Sequence, residues 1–187
     1  MAGESFPSTS ELPLRDAFLL QPKRFKDNRG DFFKLFTEGA LLGAGITRPF
    51  KEEYISISRK GVLRGLHYQS GEQSQAKLIC CLSGKVFDVI VDLRQSSPTF
   101  GKWFGMVLSG DSPQCLFVPR GFAHGFLSLS ANSAVLYKAD NSYAPEKECG
   151  IRYDDPELGI KWPIAAKPTL SEKDLAWPGF GACQKFD

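Results

Sequence analysis

The chain has 187 residues, enough for one domain with a substantial core and short for two. Basic and acidic residues nearly balance, 23 against 21, and Lys and Arg are scattered rather than gathered into a stripe, which speaks against a nucleic-acid surface. No apolar run approaches the roughly 18–20 residues of a membrane span, and the odd set of Cys80, Cys81, Cys115, Cys149 and Cys183, without C-x-x-C spacing, argues against a disulfide framework or zinc site and for a reducing, cytoplasmic compartment.

The opening MAGESFPSTSELPL lacks both a basic stretch and an apolar stretch, so it is not a secretory signal. Its Ser, Pro and Gly content predicts a flexible leader over residues 1–11, followed by a single domain over 12–187. FTEGALLGAG predicts one short helix. EEYISISRK alternates apolar and polar residues with period two, as a half-buried strand does. AKLICCLSGKVFDVIVDLR is apolar on both sides of Ser83-Gly84, which predicts a hairpin there. KWFGMVLSG, QCLFVPRGFAHGFLSLS and SAVLYKADNSY follow with turn residues between them. Strands arriving this regularly predict an all-β barrel or sandwich rather than an α/β fold. Beyond about residue 150 the segments are too short to bury a core alone and form a C-terminal extension, in which SEKDLAW predicts an N-capped turn.

Two histidines, His67 and His124, are the chain's only side chains that titrate near neutrality without perturbation. In the strand-like Gly61-Val62-Leu63-Arg64-Gly65-Leu66-His67-Tyr68-Gln69, strict alternation puts Leu63, Gly65 and His67 on one face and Arg64 on the other. A bulge at the glycine would change the phase and bring Arg64 and His67 together. Each histidine stands alone, with no His-x-His pair, so no metal site is expected. Lys77 enters an apolar strand, where an ammonium costs free energy unless it serves or snorkels. Tyr137 has a packing role open to it, and Asp174 in Ser171-Glu172-Lys173-Asp174 is equally the first-turn acid of a helix. There is no glycine-rich dinucleotide fingerprint, and no cofactor is expected.

Together, Arg29-Gly30-Asp31-Phe32-Phe33, GVLRGLHYQ, AKLICCLSGKVFDVIVDLRQSSPTFGKW, VPRGFAHGFLSLS, LYKADNSYAPEKECGIRYDDPELGIKWP and LSEKD resemble the dTDP-4-dehydrorhamnose 3,5-epimerase family over Arg29 to Trp177. The resemblance implies a metal-free, cupin-type jelly-roll barrel, a homodimer, and a dTDP-linked 4-keto-6-deoxy sugar as substrate, in rhamnose-type deoxysugar biosynthesis of the kind that feeds lipopolysaccharide. It implies His67 as general base, Asp174 as its carboxylate partner, Tyr137 as general acid on the opposite face of the sugar, and Lys77 as the group that stabilises the enolate oxygen. Arg64 and His124 match residues that bind the sugar nucleotide, and Arg29 one that reaches phosphate across the dimer. Phe32, Glu52, Tyr54 and Tyr143 complete the implied substrate-binding set.

Some positions depart from the family pattern. Lys34 stands where many members carry an acid, and Glu52-Glu53-Tyr54-Ile55-Ser56 replaces Gln-Asp-Asn-His-Ser. Glu52 loses an amide donor and Tyr54 adds bulk. These changes bear on the nucleotide, the sugar, and whether C3, C5 or both are inverted. Alternatives are a single-site epimerase, a sugar-nucleotide 3,4-ketoisomerase, a non-catalytic sugar-nucleotide-binding barrel and a metal-dependent cupin.

Overall fold

The side-chain alternation of one strand shows how the two sheets are built. In β12 (Asn132–Ala139), Ser133, Val135, Tyr137 and Ala139 are buried and the residues between them are only partly so, the period of a strand with one face on a core. By contrast, β11 (Phe122–Ser128) is buried at every position, which requires cover on both faces.

A computed structural model describes residues 8–187. β12 belongs to a six-stranded antiparallel sheet with β1 (Ser8–Glu11), β2 (Phe18–Gln21), β5 (Glu52–Arg59), β7 (Lys77–Ser83) and β10 (Cys115–Val118), in the order β1-β2-β10-β7-β12-β5. The second sheet runs β13-β6-β11-β8-β9 and adds β6 (Leu63–Gln69), β8 (Lys85–Asp92), β9 (Trp103–Ser109) and β13 (Glu148–Gly150). Separately, β3 (Lys23–Asp27) and β4 (Gly30–Lys34) form a two-stranded hairpin. The sheets face each other across a core that includes Ile79, Val86, Ile90, Leu116, Phe126 and Val135. This is the expected all-β, cupin-type jelly roll.

Each sheet also has part of its outer side covered. Ile151, Leu158 and Phe180 of the C-terminal extension pack on Val89 and Val91, which explains the unbroken burial of β11. Leu41 of α1 (Glu38–Gly43), with Ile46, packs on Leu78, Cys80 and Cys115. This is the helix expected of FTEGALLGAG, capped at Thr37. All five cysteines are free thiols.

Two expectations are corrected. Ser83-Gly84 is not a hairpin: β7 and β8 lie in different sheets, and Gly84, at φ +73°, turns the chain from one layer to the other. Both halves are apolar because each is a central strand, so composition alone does not distinguish a turn within a sheet from a crossing between sheets. Within the expected leader, residues 1–7 lie outside the described residues, while Ser8–Glu11 pair along β2 from Ser8↔Gln21 to Glu11↔Phe18. Backbone pairing places that exposed strand where its polar side chains gave no signal.

Candidate functional site

The phase change in β6 builds the site. His67 is the Cα partner of His124 and Arg64 that of Phe126, so three steps along β6 answer two along β11. The extra residue is a bulge at Gly65, where φ is +125° and an added Cβ would lie 2.5 Å from Gly125 Cα and 2.9 Å from the His124 carbonyl oxygen. Only glycine allows the strands this approach. As the sequence suggested, Arg64 and His67 consequently share a wall, with Leu66 and Tyr68 turned to the outer cluster.

That wall bounds a cavity of about 510 Å³, lined also by Tyr54, Lys77, His124, Tyr137 and Asp174. Asp174 arrives on α2 (Glu172–Ala176), whose N-cap Ser171 accepts the Asp174 backbone N–H at 3.1 Å. The cap starts the helix where Asp174 can reach inward. Its carboxylate is buried and meets His67 Nε2 through Oδ1, so it is more than a first-turn acid. Burial alone would raise the Asp174 carboxyl; the His67 hydrogen bond and charge, with Ser171 and Trp177, outweigh it and hold it below the ordinary carboxylate value. The Asp174 contact engages Nε2 of the imidazole.

Tyr137 comes from β12, in the facing sheet. Its ring lies 5.9 Å from the His124 ring, edge to face, and 4.9 Å from Tyr54 in a near-parallel stack. Burial raises the Tyr137 phenol well above its ordinary value, so it is a neutral O–H donor at physiological pH. Tyr54 is pushed up to about 12, by burial first and then by Glu52 and Glu148. Lys77, at the start of β7, is brought down to about 8 by burial, against the opposing pull of Glu148 and Asp88. An ammonium so placed is a cation with little solvent to screen it.

Sequence inspection passed over several residues here. Asp88, in the middle of apolar β8, pairs with His124 Nε2 at 2.9 and 3.0 Å; a carboxylate between Phe87 and Val89, inside the apolar run, was the available signal. Glu148, mostly buried, accepts hydrogen bonds from Tyr143 Oη and Lys173 Nζ. No local pattern marks it, because it reaches the site only through β13 pairing with β6. Arg64 is held by a 3.0 Å hydrogen bond from Nε to Ser58 Oγ.

The remaining expected residues lie apart from the cavity wall. Glu52 accepts the Tyr143 backbone N–H at 2.8 Å, and the Tyr143 ring is exposed. Arg29 and Phe32 sit on the β3–β4 hairpin, which makes its own groove with Phe25 and Lys26. Arg29 is 86% exposed and ion-paired to Asp27, and Phe32 is 63% exposed. Within one chain these two do not join His67. Among the described residues no three His, Cys, Asp or Glu side chains cluster as metal ligands, and no helix is long and apolar enough to cross a membrane.

The arrangement has a counterpart in known proteins. The family model for dTDP-4-dehydrorhamnose 3,5-epimerase matches residues 11–181. The chain belongs to the dTDP-4-dehydrorhamnose 3,5-epimerase family. It is therefore an epimerase, and so an isomerase. The enzyme of that name from Salmonella typhimurium is 47% identical over 166 residues, covering 87% of this chain and 90% of its own. A crystal structure of this epimerase from Elizabethkingia anophelis superposes with a TM-score of 0.89 at 44% identity, covering 94% of this chain and 97% of that one. The dTDP-6-deoxy-D-glucose-3,5-epimerase of Legionella pneumophila, solved with dTDP-4-keto-L-rhamnose, gives a TM-score of 0.90 at 43% identity over 94% and 93% of the two chains. In this epimerase the whole His67 to Asp174 constellation lies within the matched span.

Proposed function

We propose that this chain epimerises dTDP-4-keto-6-deoxyglucose through an enolate, with His67 as base and Tyr137 as acid. The observation that carries it is the pairing of His67 with buried Asp174 on one wall and the neutral phenol of Tyr137 on the facing sheet. A C–H beside the C4 ketone is acidic because its electron pair delocalises onto the carbonyl oxygen. Neutral His67 takes that proton, the C4=O becomes an enolate, and Asp174 stabilises the imidazolium. The Lys77 ammonium offsets the charge growing on the C4 oxygen, an effect of about 3–4 kcal/mol in comparable sites. Tyr137 then delivers its proton to the other face of the carbon as the enolate returns to ketone. His67 and the tyrosinate exchange protons with solvent before the next turnover, so no cofactor is consumed.

Arg64, His124, Tyr54, Glu52 and Tyr143 hold the sugar nucleotide. Arg29 and Phe32 reach a second copy's pocket from the projecting hairpin, in a homodimer. Two features favour the pair: the hairpin's exposed aromatic Phe32, and the outward Ile55 and Ile57 on edge strand β5, 56% and 70% exposed. The enzyme works in the cytoplasm, where five free thiols persist. Its product is a rhamnose-type deoxysugar precursor. A second reading, inversion of one carbon only, draws support from Tyr54, whose stack against Tyr137 limits the arc over which the acid can deliver.

Incubation with dTDP-4-keto-6-deoxyglucose in heavy water, followed by NMR, separates the readings. Deuterium at C3 and C5, abolished by His67→Asn, is the expected result. Label at one carbon alone supports single inversion. A wild-type protein that incorporates no label refutes the epimerase chemistry on this substrate.

A further inference from the structure

Trp177 follows directly on α2 and is absent from the cavity lining, yet it touches the catalytic pair from behind. Its ring centroid lies 6.1 Å from that of His67 at 68°, and Lys173 Nζ stands 5.7 Å over the indole. The seat for the indole is Gly150, the β13 residue paired with His67. A Cβ on Gly150 would come within 2.4 Å of Trp177 Cδ2 and Cε2 and 2.5 Å of Nε1. The glycine is thus a vacancy that the indole fills, rather than a turn.

The indole N–H is the unusual group. Nε1 is buried and has no partner in hydrogen-bond geometry among the described residues. A buried donor left unmade costs free energy. It nonetheless stands near enough to Asp174 to help hold that carboxyl low. Asp174 Oδ1 is occupied by His67, and Ser171 and Trp177 stand near enough to add to the hold on the carboxylate. A carboxylate that loses one of these flanking groups is freer to rotate about its terminal torsion, and His67 would follow it.

We propose that Trp177 is a positioning residue for the His67–Asp174 pair, seated on Gly150 so that its indole covers the pair's outer side and directs an N–H at the carboxylate. The inference rests on the epimerase reading above, in which that pair is the base. Trp177 acts through the pair and does not meet the sugar. Its removal therefore lowers kcat and leaves KM nearly unchanged.

The test compares wild type with Trp177→Phe, Trp177→Ala, Gly150→Ala and the double variant Gly150→Ala/Trp177→Ala. Trp177→Phe keeps most of the packing and drops only the N–H. We expect its kcat to fall about tenfold, within the range that small misplacements of catalytic groups produce, with KM changed less than about twofold. Gly150→Ala displaces the same ring, so its loss and that of Trp177→Ala should fail to add in the double variant. A Trp177→Phe enzyme with wild-type kcat, or losses that add, overturns the proposal. A proton NMR signal from the His67–Asp174 hydrogen bond, assigned by its disappearance in His67→Asn, supplies an arm independent of turnover. It should broaden through water exchange in Trp177→Phe, and an unchanged signal overturns the positioning role. Failure of wild type to label substrate would instead overturn the epimerase reading, and the NMR arm would still decide the role of Trp177.

Discussion

Replacing Lys77 by methionine keeps much of the side chain's length and removes its charge from the start of β7. With its ammonium brought down to about 8, Lys77 is roughly nine-tenths charged at pH 7 and about one-tenth charged at pH 9. In the proposed mechanism the charged form stabilises the enolate. Since the folded value is depressed, that charge is present below about pH 8 and is lost as pH rises through it. Wild-type kcat/KM should therefore fall above about pH 8, approaching tenfold per unit. Lys77→Met should lose about 10²–10³ in kcat at pH 7, the span found when one preorganised donor is deleted at a developing oxyanion. Lys77→Arg separates charge from fit. Its guanidinium stays protonated throughout, so the alkaline fall should vanish even if the larger planar head lowers the absolute rate. Initial rates of deuterium wash-in, from about pH 6 to 10 at saturating and limiting substrate, measure all three. A wild-type profile flat to about pH 10, together with Lys77→Met within tenfold of wild type, would remove Lys77 from the reaction.

Two further predictions probe the frame. Gly65→Ala forces a Cβ to within 2.5 Å of Gly125 Cα at a φ of +125°, which should cost about 2–5 kcal/mol and, at about 2–4 °C per kcal/mol for a chain this size, lower Tm by roughly 4–20 °C in a thermal melt. A shift under about 2 °C would mean that the bulge adapts freely. Arg29→Ala should raise KM with little change in kcat. Mixing it with His67→Asn should restore activity, because a mixed dimer with an exchanged hairpin contains one site with both residues intact; mixtures no more active than their parts would place Arg29 outside the partner's pocket.

Much of the fold follows from local chemistry. The alternation in β12, the Thr37-capped helix and the Ser171-capped turn all arise from forces acting over a few residues, whereas β5 forms as a strand but turns Ser56 and Ser58 inward and leaves Ile55 and Ile57 exposed. The assignment of strands to layers does not. AKLICCLSGKVFDVIVDLR spans β7 and β8, each a central strand of a different sheet, and an apolar run looks the same whether its halves pair or part. Ser8–Glu11 fails for the opposite reason: a fully exposed edge strand carries no apolar period at all, and only its backbone bonds to β2 define it.

The site divides along the same line. Arg64 and His67 are close in sequence, and the glycine between them already signalled the phase change that the register shift at Gly65 produces. Asp174 stands 107 residues from its histidine, so nothing local joins them; the family resemblance does. Asp88 and Glu148 lie beyond both sources of inference for distinct physical reasons. Asp88 is tolerated in an apolar strand because His124 satisfies it, and a buried carboxylate in such a run demands a partner even before that partner is known. Glu148 sits in a three-residue strand at a sheet edge, where a carboxylate is unremarkable until Tyr143 and Lys173 close on it. The same distinction explains Trp177. Its indole needs the missing side chain of Gly150, and that requirement exists only once β13 lies beside His67. Residues fixed by the pairing of distant strands thus carry no local sign: Trp177 packs against His67, and Asp88 against His124.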